Sequence, residues 1–445
     1  WATGTNWNNG VPNGSGDTAN LTTALSSPST ISLDGNKSVG ALSFSSATNG
    51  YTIDQGSGGT LTIDNGLSSA AISNNGGVHV ISAPMSFASD VILSSATAAE
   101  SLSFTGIISG TGDLTKTGPG QLVLSGANTF NGLVTLSAGT TTFANGGLGA
   151  GNLAVSGATL VWDTGKTEDI SSRTITFGDN PVTFDTNGND VSLATAFGEF
   201  GAAAFIKSGL GKLTIVDEGT YSGDTTISQG ALQLGSGGTT GAVSGNIINN
   251  GELIVSRSDS SLFANLISGT GSLELTGGGS IQLSSANTFS GTTSITSGNI
   301  ILFNSLALQN STLNYAAGGG TLSFDIQTAA TLGGLSGDKS IVLENNASPT
   351  PAAVALTVGG NNGSTTYSGV LSGSGSLAKA GTGTLTLGGI NTYTGTTASN
   401  GGVLQIDTGA AVNSSNAVTT SGNGQIAVAG GALSVSTGNL GVASG

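Results

Sequence analysis

Residues 108–139 read ISGTGDLTKTGPGQLVLSGANTFNGLVTLSAG. Within this stretch Gln121-Leu-Val-Leu124 alternates polar and apolar side chains as a half-buried strand does, and glycine pairs punctuate the chain on either side. The same order returns as ISGTGSLELTGGGSIQLSSANTFSGTTSITSG at 267–298 and LSGSGSLAKAGTGTLTLGGINTYTGTTASNGG at 371–402. A weaker copy starts at Phe205, so marked repeats lie near 108–140, 205–231, 267–299 and 371–403. A unit this short cannot bury its apolar face alone and must stack on its neighbours, which makes the chain a repeat protein.

Spacing selects the architecture. Leu114 and Val134 are 20 positions apart, as are Leu122 and Thr142. Lys116, Lys207, Leu275 and Lys379 hold one position in the four copies, at separations of 91, 68 and 104, which divide into roughly four, three and five turns of about 21 to 23 residues. Such numbers suit a coil of three short strands. An antiparallel sandwich would instead show tight hairpin signals between longer strands. The expectation is an all-β parallel β-helix, or β-solenoid, of about 20 coils of roughly 20–23 residues, with almost no helix, since no 3.6-residue stripe is sustained. Residues 1–20 read as a lead-in or cap and 21–445 as continuous solenoid.

One corner of the coil is marked by Asn, an aromatic ring and Gly. These are Asn128, Phe130 and Gly132; Tyr221 and Gly223; Asn287, Phe289 and Gly291; and Asn391, Tyr393 and Gly395. The ring is expected inside, the Asn bonded to turn backbone, and the Gly where no other residue fits. Gly219 stands at the Asn position of the weak copy, where a looser corner is expected.

The matching elements G-T/S-G-x-L-x-K/L-x-G-x-G and L-x-L-x-x-x-N-T-F/Y-x-G resemble the autotransporter-associated β-strand repeat, also called the passenger-associated transport repeat, of Gram-negative surface proteins. The resemblance covers about 130 residues directly. It implies a right-handed coil, secretion, and display as an adhesin, fibre or stalk outside the outer membrane. The expected function is a structural or adhesive surface protein, a filament subunit or passenger stalk, and not an enzyme. The translocating barrel usual in such proteins, with its ~10-residue amphipathic strands and aromatic girdles, is not seen in these 445 residues. A chain that opens on Trp1 without Met reads as a processed or excised piece.

Composition excludes several roles. Charged residues are 7% of the chain, against roughly 25% in an ordinary domain. Nine basic residues and a net charge of −15 cannot build a phosphate-binding face, so no nucleic acid is expected. No apolar run reaches ~18 residues, so no helix inserts in a membrane. The absence of cysteine excludes a disulfide scaffold.

The alternative function is a β-helix polysaccharide lyase or hydrolase, which needs paired carboxylates, often with calcium and a basic residue. Candidates are Asp217-Glu218, Glu168-Asp169 with Lys166 and Arg173, and Asp185 with Asp190. All lie in turn-rich segments, where acidic side chains serve backbone hydrogen bonds. His79, the sole histidine, lies between Val78 and Val80 and is read as facing solvent. Asp185, Asn187, Asn189 and Asp190 crowd oxygens as a calcium loop does, but the glycine is fourth rather than sixth and no Glu stands twelfth. A plain Asn-Gly turn fits better, and no cofactor is expected unless calcium binds there. Thr-x-Thr pairs such as Thr60/Thr62 do not recur on every coil, which argues against ice binding. Open strand edges and weak surface repulsion point to the chain itself as a partner, head-to-tail or laterally, with host or neighbouring-cell glycans as the other partner.

Overall fold

A computed structural model describes residues 1–199, 201–435 and 440–442. The chain divides into two compact units, Trp1–Thr225 and Thr226–Gly445. Each is a parallel β-solenoid. Among the described residues the helical content is two three-residue 3-10 turns, Gly4–Asn6 and Ile170–Ser172.

In the first unit the chain visits three sheets in turn. One runs through Thr18–Leu21, Ala41–Phe44, Ala70–Asn74, Val91–Ser95, Leu114–Thr117 and Val134–Leu136, and the second through Ser29–Ser32, Tyr51–Asp54, Val78–Ile81, Ser101–Phe104 and Gln121–Leu124. The third and shortest is Lys37–Val39, Leu61–Ile63, Met85–Phe87 and Ile108–Gly110. Each strand lies parallel to its counterpart one coil away: Thr18 beside Ala41, Ala70 beside Val91, Val91 beside Leu114, Leu114 beside Val134, and Val134 beside Leu153. Coils of 19 to 23 residues result, with one of 30 residues between Ala41 and Ala71.

The second unit is built alike, with Glu252–Val255, Ser272–Leu275 and Thr292–Ile295 in one sheet and Ser260–Phe263, Ser280–Leu283 and Asn299–Leu302 in another. Later in the unit the strand Ala329–Gly337 pairs with both Ala355–Val358 and Thr365–Tyr367, joining two faces into one sheet.

Parallel register stacks like on like. Phe104, Leu124, Phe143 and Trp162 form one inward row, all fully buried. Outward positions on the same strands are mostly hydroxyls, with Gln121, Val123 and Val161 among them, so the pleat separates core from solvent residue by residue. The sequence spacing is off by one at one point: Leu122 lies beside Thr141, not Thr142, because this coil takes 19 residues. Thr141 consequently points inward, and its hydroxyl finds no partner.

Candidate functional site

The Asn-aromatic-Gly corner is a clamp across coils. Asn128 Oδ1 accepts from Ile108 N at 2.8 Å and its Nδ2 donates to Gly147 O at 2.6 Å. Asn287 does the same with Ile267 N and Ala307 O, and Asn391 with Leu371 N and Ala411 O. Each side chain therefore ties three successive coils, satisfying peptide groups that a turn would leave without ladder partners. The rings Phe130, Tyr221, Phe289 and Tyr393 are buried beside them. At Gly219 an added Cβ would lie 2.6 Å from the Tyr221 ring, so an Asn has no room in that copy.

The four corner glycines sit under backbone. A Cβ on Gly132, Gly223, Gly291 or Gly395 would lie 2.2 Å from the carbonyl oxygen of Gly112, Ala203, Gly271 or Gly375, each 20 residues earlier. Close approach of one coil to the next, rather than left-handed backbone, is what demands glycine here.

The repeat's lysines were not assigned a role from sequence. Lys116, Lys207 and Lys379 point inward, at most 1% exposed. The ammonium of Lys116 donates to the carbonyls of Thr117, Gly118 and Ala138, that of Lys207 to Ser208 and Gly209, and that of Lys379 to Ala380, Gly381 and Gly401. Burial pushes Lys116 and Lys207 down to about 8. The signal was the inward phase of Leu114-Thr-Lys116, which aligns the lysine with the core row.

His79 corrects the sequence reading. It is fully buried, whereas Val78 is 56% exposed. Its Nδ1 accepts from Tyr51 N at 3.0 Å, its Nε2 donates to Gly76 O at 2.7 Å, and the ring stacks on Phe44 at 4.8 Å. That pattern requires the neutral imidazole, and desolvation lowers its pKa below the usual 6.5. The unfolded chain takes up the proton first as pH falls, so the contribution of His79 is complete above about pH 6.5 and is lost below it. Urea midpoints should drop between pH 7 and 5.5, and His79→Gln should flatten that step; an unchanged slope would remove the assignment.

Glu168, Asp169, Asp185 and Asp190 have structural duties. Glu168 pairs with Arg173 at 3.3 Å and also accepts from Gly146 N. Asp169 caps Ile170–Ser172 through Ser171 N and accepts from Ala194 N. Lys166 N closes a turn on Asp163 O; Asp217 is half-buried, and the exposed Glu218 opens the two-residue strand Glu218–Gly219. In the calcium-like loop Asp185 accepts from Asn187 N, Asn189 bonds Gly165 N and Asp163 O, and Asp190 accepts from Lys212 N. Those bonds tie the loop to the coils on either side. Among the described residues no three His, Cys, Asp or Glu side chains gather as a metal would need.

The passenger-associated-transport-repeat family matches this sequence at residues 114–142, 205–234, 273–302 and 377–406, over the lysine, Asn and ring positions just described. The chain carries four passenger-associated transport repeats. An adhesin autotransporter, BmaC, of Brucella suis biovar 1 (strain 1330), is 29% identical over 236 residues. That match covers 50% of this chain and 7% of the relative, so the chain spans a small part of the protein it resembles. No solved structure matches.

Within the repeats one substitution carries its own compensation. Tyr221 and Tyr393 each meet a threonine four residues on, Tyr221 Oη with Thr225 Oγ1 at 2.8 Å and Tyr393 Oη with Thr397 Oγ1 at 2.6 Å. The first repeat has Phe130 with Val134 instead, both fully buried. Tyr221→Phe should cost about 1–2 kcal/mol by stranding the Thr225 hydroxyl, and adding Thr225→Val should recover most of it. Additive losses in the double variant, measured by urea unfolding, would contradict the pairing.

Proposed function

We propose that this chain is part of an adhesive passenger displayed at a bacterial surface. The observation that supports it is the use of the repeats' polar residues: Asn128, Asn287, Asn391, Lys116 and Lys379 are spent on holding coil to coil, as a scaffold for a long contact surface requires. The carboxylates of Glu168, Asp169, Asp185 and Asp190 are engaged in an ion pair, a cap and turns. The relative's designation as an adhesin agrees with this reading.

Displayed on a non-adherent bacterium, the chain should raise attachment to epithelial cells, and soluble chain should compete. Equal attachment with and without the chain would overturn the proposal. The finer form is a filament subunit, supported by a surface with few charges to oppose association. Fibres by electron microscopy and concentration-dependent light scattering are expected; a monomer at high concentration would leave a stalk instead.

A further inference from the structure

The sequence holds twelve Asn-Gly pairs. An asparagine amide carbon can close a ring on the backbone nitrogen of the next residue, and a glycine there has no side chain to obstruct it. What the fold does with that nitrogen sorts the pairs. Gly66 N donates to Asp64 Oδ1 at 2.9 Å, Gly76 N to Asn74 Oδ1 at 3.1 Å, Gly251 N to Asn249 Oδ1 at 3.2 Å and Gly363 N to Asn361 Oδ1 at 3.0 Å. In all four the acceptor is the residue just before the asparagine, so these turns shield their own reactive nitrogen. Gly146 N is held by Glu168 Oε2 at 2.7 Å and Gly424 N by Ser421 O at 3.0 Å.

Three further pairs are confined by packing. A Cβ on Gly50 or Gly132 would lie 2.2 Å from Val78 O or Gly112 O, and one on Gly401 3.0 Å from Gly381 O. Closing the ring swings the peptide plane at the glycine, and backbone packed on its Cα resists that motion. Beyond residues 1–20 this leaves one pair. We propose that Asn187 is a site of spontaneous deamidation through Gly188. Both residues are exposed, a Cβ built on Gly188 would meet nothing within 4 Å, and among the described residues none accepts a hydrogen bond from the Gly188 nitrogen. Thr186 stands where the shielded turns carry Asp or Asn, and its hydroxyl is turned to Ser208 O instead.

The step balances with water as the only co-reactant. The Gly188 nitrogen bonds to Asn187 Cγ as the Cγ–Nδ2 bond breaks, the amide proton leaves with Nδ2 as ammonia, and water opens the imide at either carbonyl to give aspartate or isoaspartate. Attack requires loss of the proton on the Gly188 nitrogen, so the rate rises with pH. The product replaces a donor by an acceptor: the bonds from Asn187 Nδ2 to Trp162 O at 3.2 Å and Thr164 Oγ1 at 3.4 Å are lost, and a negative charge appears two residues from Asp185. Those bonds tie the loop to the preceding coil, while Val182 and Phe184 remain buried in the core. Deamidation therefore unfastens one surface turn and leaves the stack of coils in place.

The inference stands apart from the adhesive reading and is tested on the isolated chain. The 445-residue protein is held in warm, mildly alkaline buffer, sampled over days and digested, and deamidation is followed peptide by peptide by mass spectrometry, with isoaspartate separated by chromatography. Asn187 should convert about tenfold faster than Asn65, Asn75, Asn250 and Asn362, the factor that one shielding hydrogen bond is worth. In urea-unfolded chain the five rates should converge. Asn361→Ala should raise the conversion of Asn362 about tenfold, and Asp64→Ala provides the same readout at Asn65 if the first variant misfolds. Conversion of Asn187 no faster than that of the four shielded residues would overturn the assignment. So would a ranking that persists in urea, or rates at Asn362 and Asn65 that ignore the loss of their shields.

Discussion

Leu124→Asp is expected to cost at least about 3 to 5 kcal/mol, the range for an uncompensated buried charge. Leu124 is fully buried between Phe104 and Phe143 in its row, and Trp162 follows one coil further, with its ring 5.0 Å from that of Phe143. A carboxylate there meets only apolar neighbours along the row. Ionised, it lacks a counter-charge; protonated, it still lacks an acceptor. Because each coil is supported chiefly by the two beside it, the loss should spread to adjacent coils and broaden the transition of the first unit. Urea unfolding followed by circular dichroism checks this, and an unchanged midpoint would take Leu124 out of the core.

Gly132→Ala should be nearly as damaging for a different reason. The new methyl would sit 2.2 Å from Gly112 O and 2.5 Å from its carbon, both backbone atoms that cannot rotate aside. Gly151 is packed on the opposite side, where a Cβ would come within 1.8 Å of Gly132 O, so the coil cannot retreat in that direction either. Overpacking of this kind costs about 1–3 kcal/mol and more where backbone must move, so about 3 kcal/mol is expected. Gly4→Ala, with open space around the position, should change stability by less than about 0.5 kcal/mol. Equal midpoints for the two variants would show that the coils are not in close contact at Gly132.

The fold was largely legible because a parallel solenoid writes its geometry into the chain at short range. Alternation along Gln121–Leu124 gave the inward face, and the 20-residue offset from Leu114 to Val134 gave the coil. Short strands are ambiguous in phase, however. Val78-His-Val-Ile81 reads equally well with the valines inward, and only its register against Leu102 and Phe104 places His79 and Ile81 in the core. One residue of slip at Thr141 escaped for the same cause, since a 19-residue coil and a 20-residue coil carry similar patterns. A cavity of about 340 Å³ walled by residues 1–7, 20–23, 29–32 and Tyr51 was not legible at all. It assembles residues up to 50 positions apart, and no local period announces which of them share a wall.

The 30-residue coil between Ala41 and Ala71 carries a lesson for engineering. Its strands Ala41–Phe44, Tyr51–Asp54 and Leu61–Ile63 keep their places in the three sheets while the extra residues leave as connections outside the rows. Length is therefore negotiable at the connections and fixed at the rows. A foreign epitope spliced between Gln55 and Gly58 should leave both flanking strands in register, and the closure cost of a longer loop grows only slowly with its length. Each coil becomes an address at which a new sequence can be posted without rewriting the core.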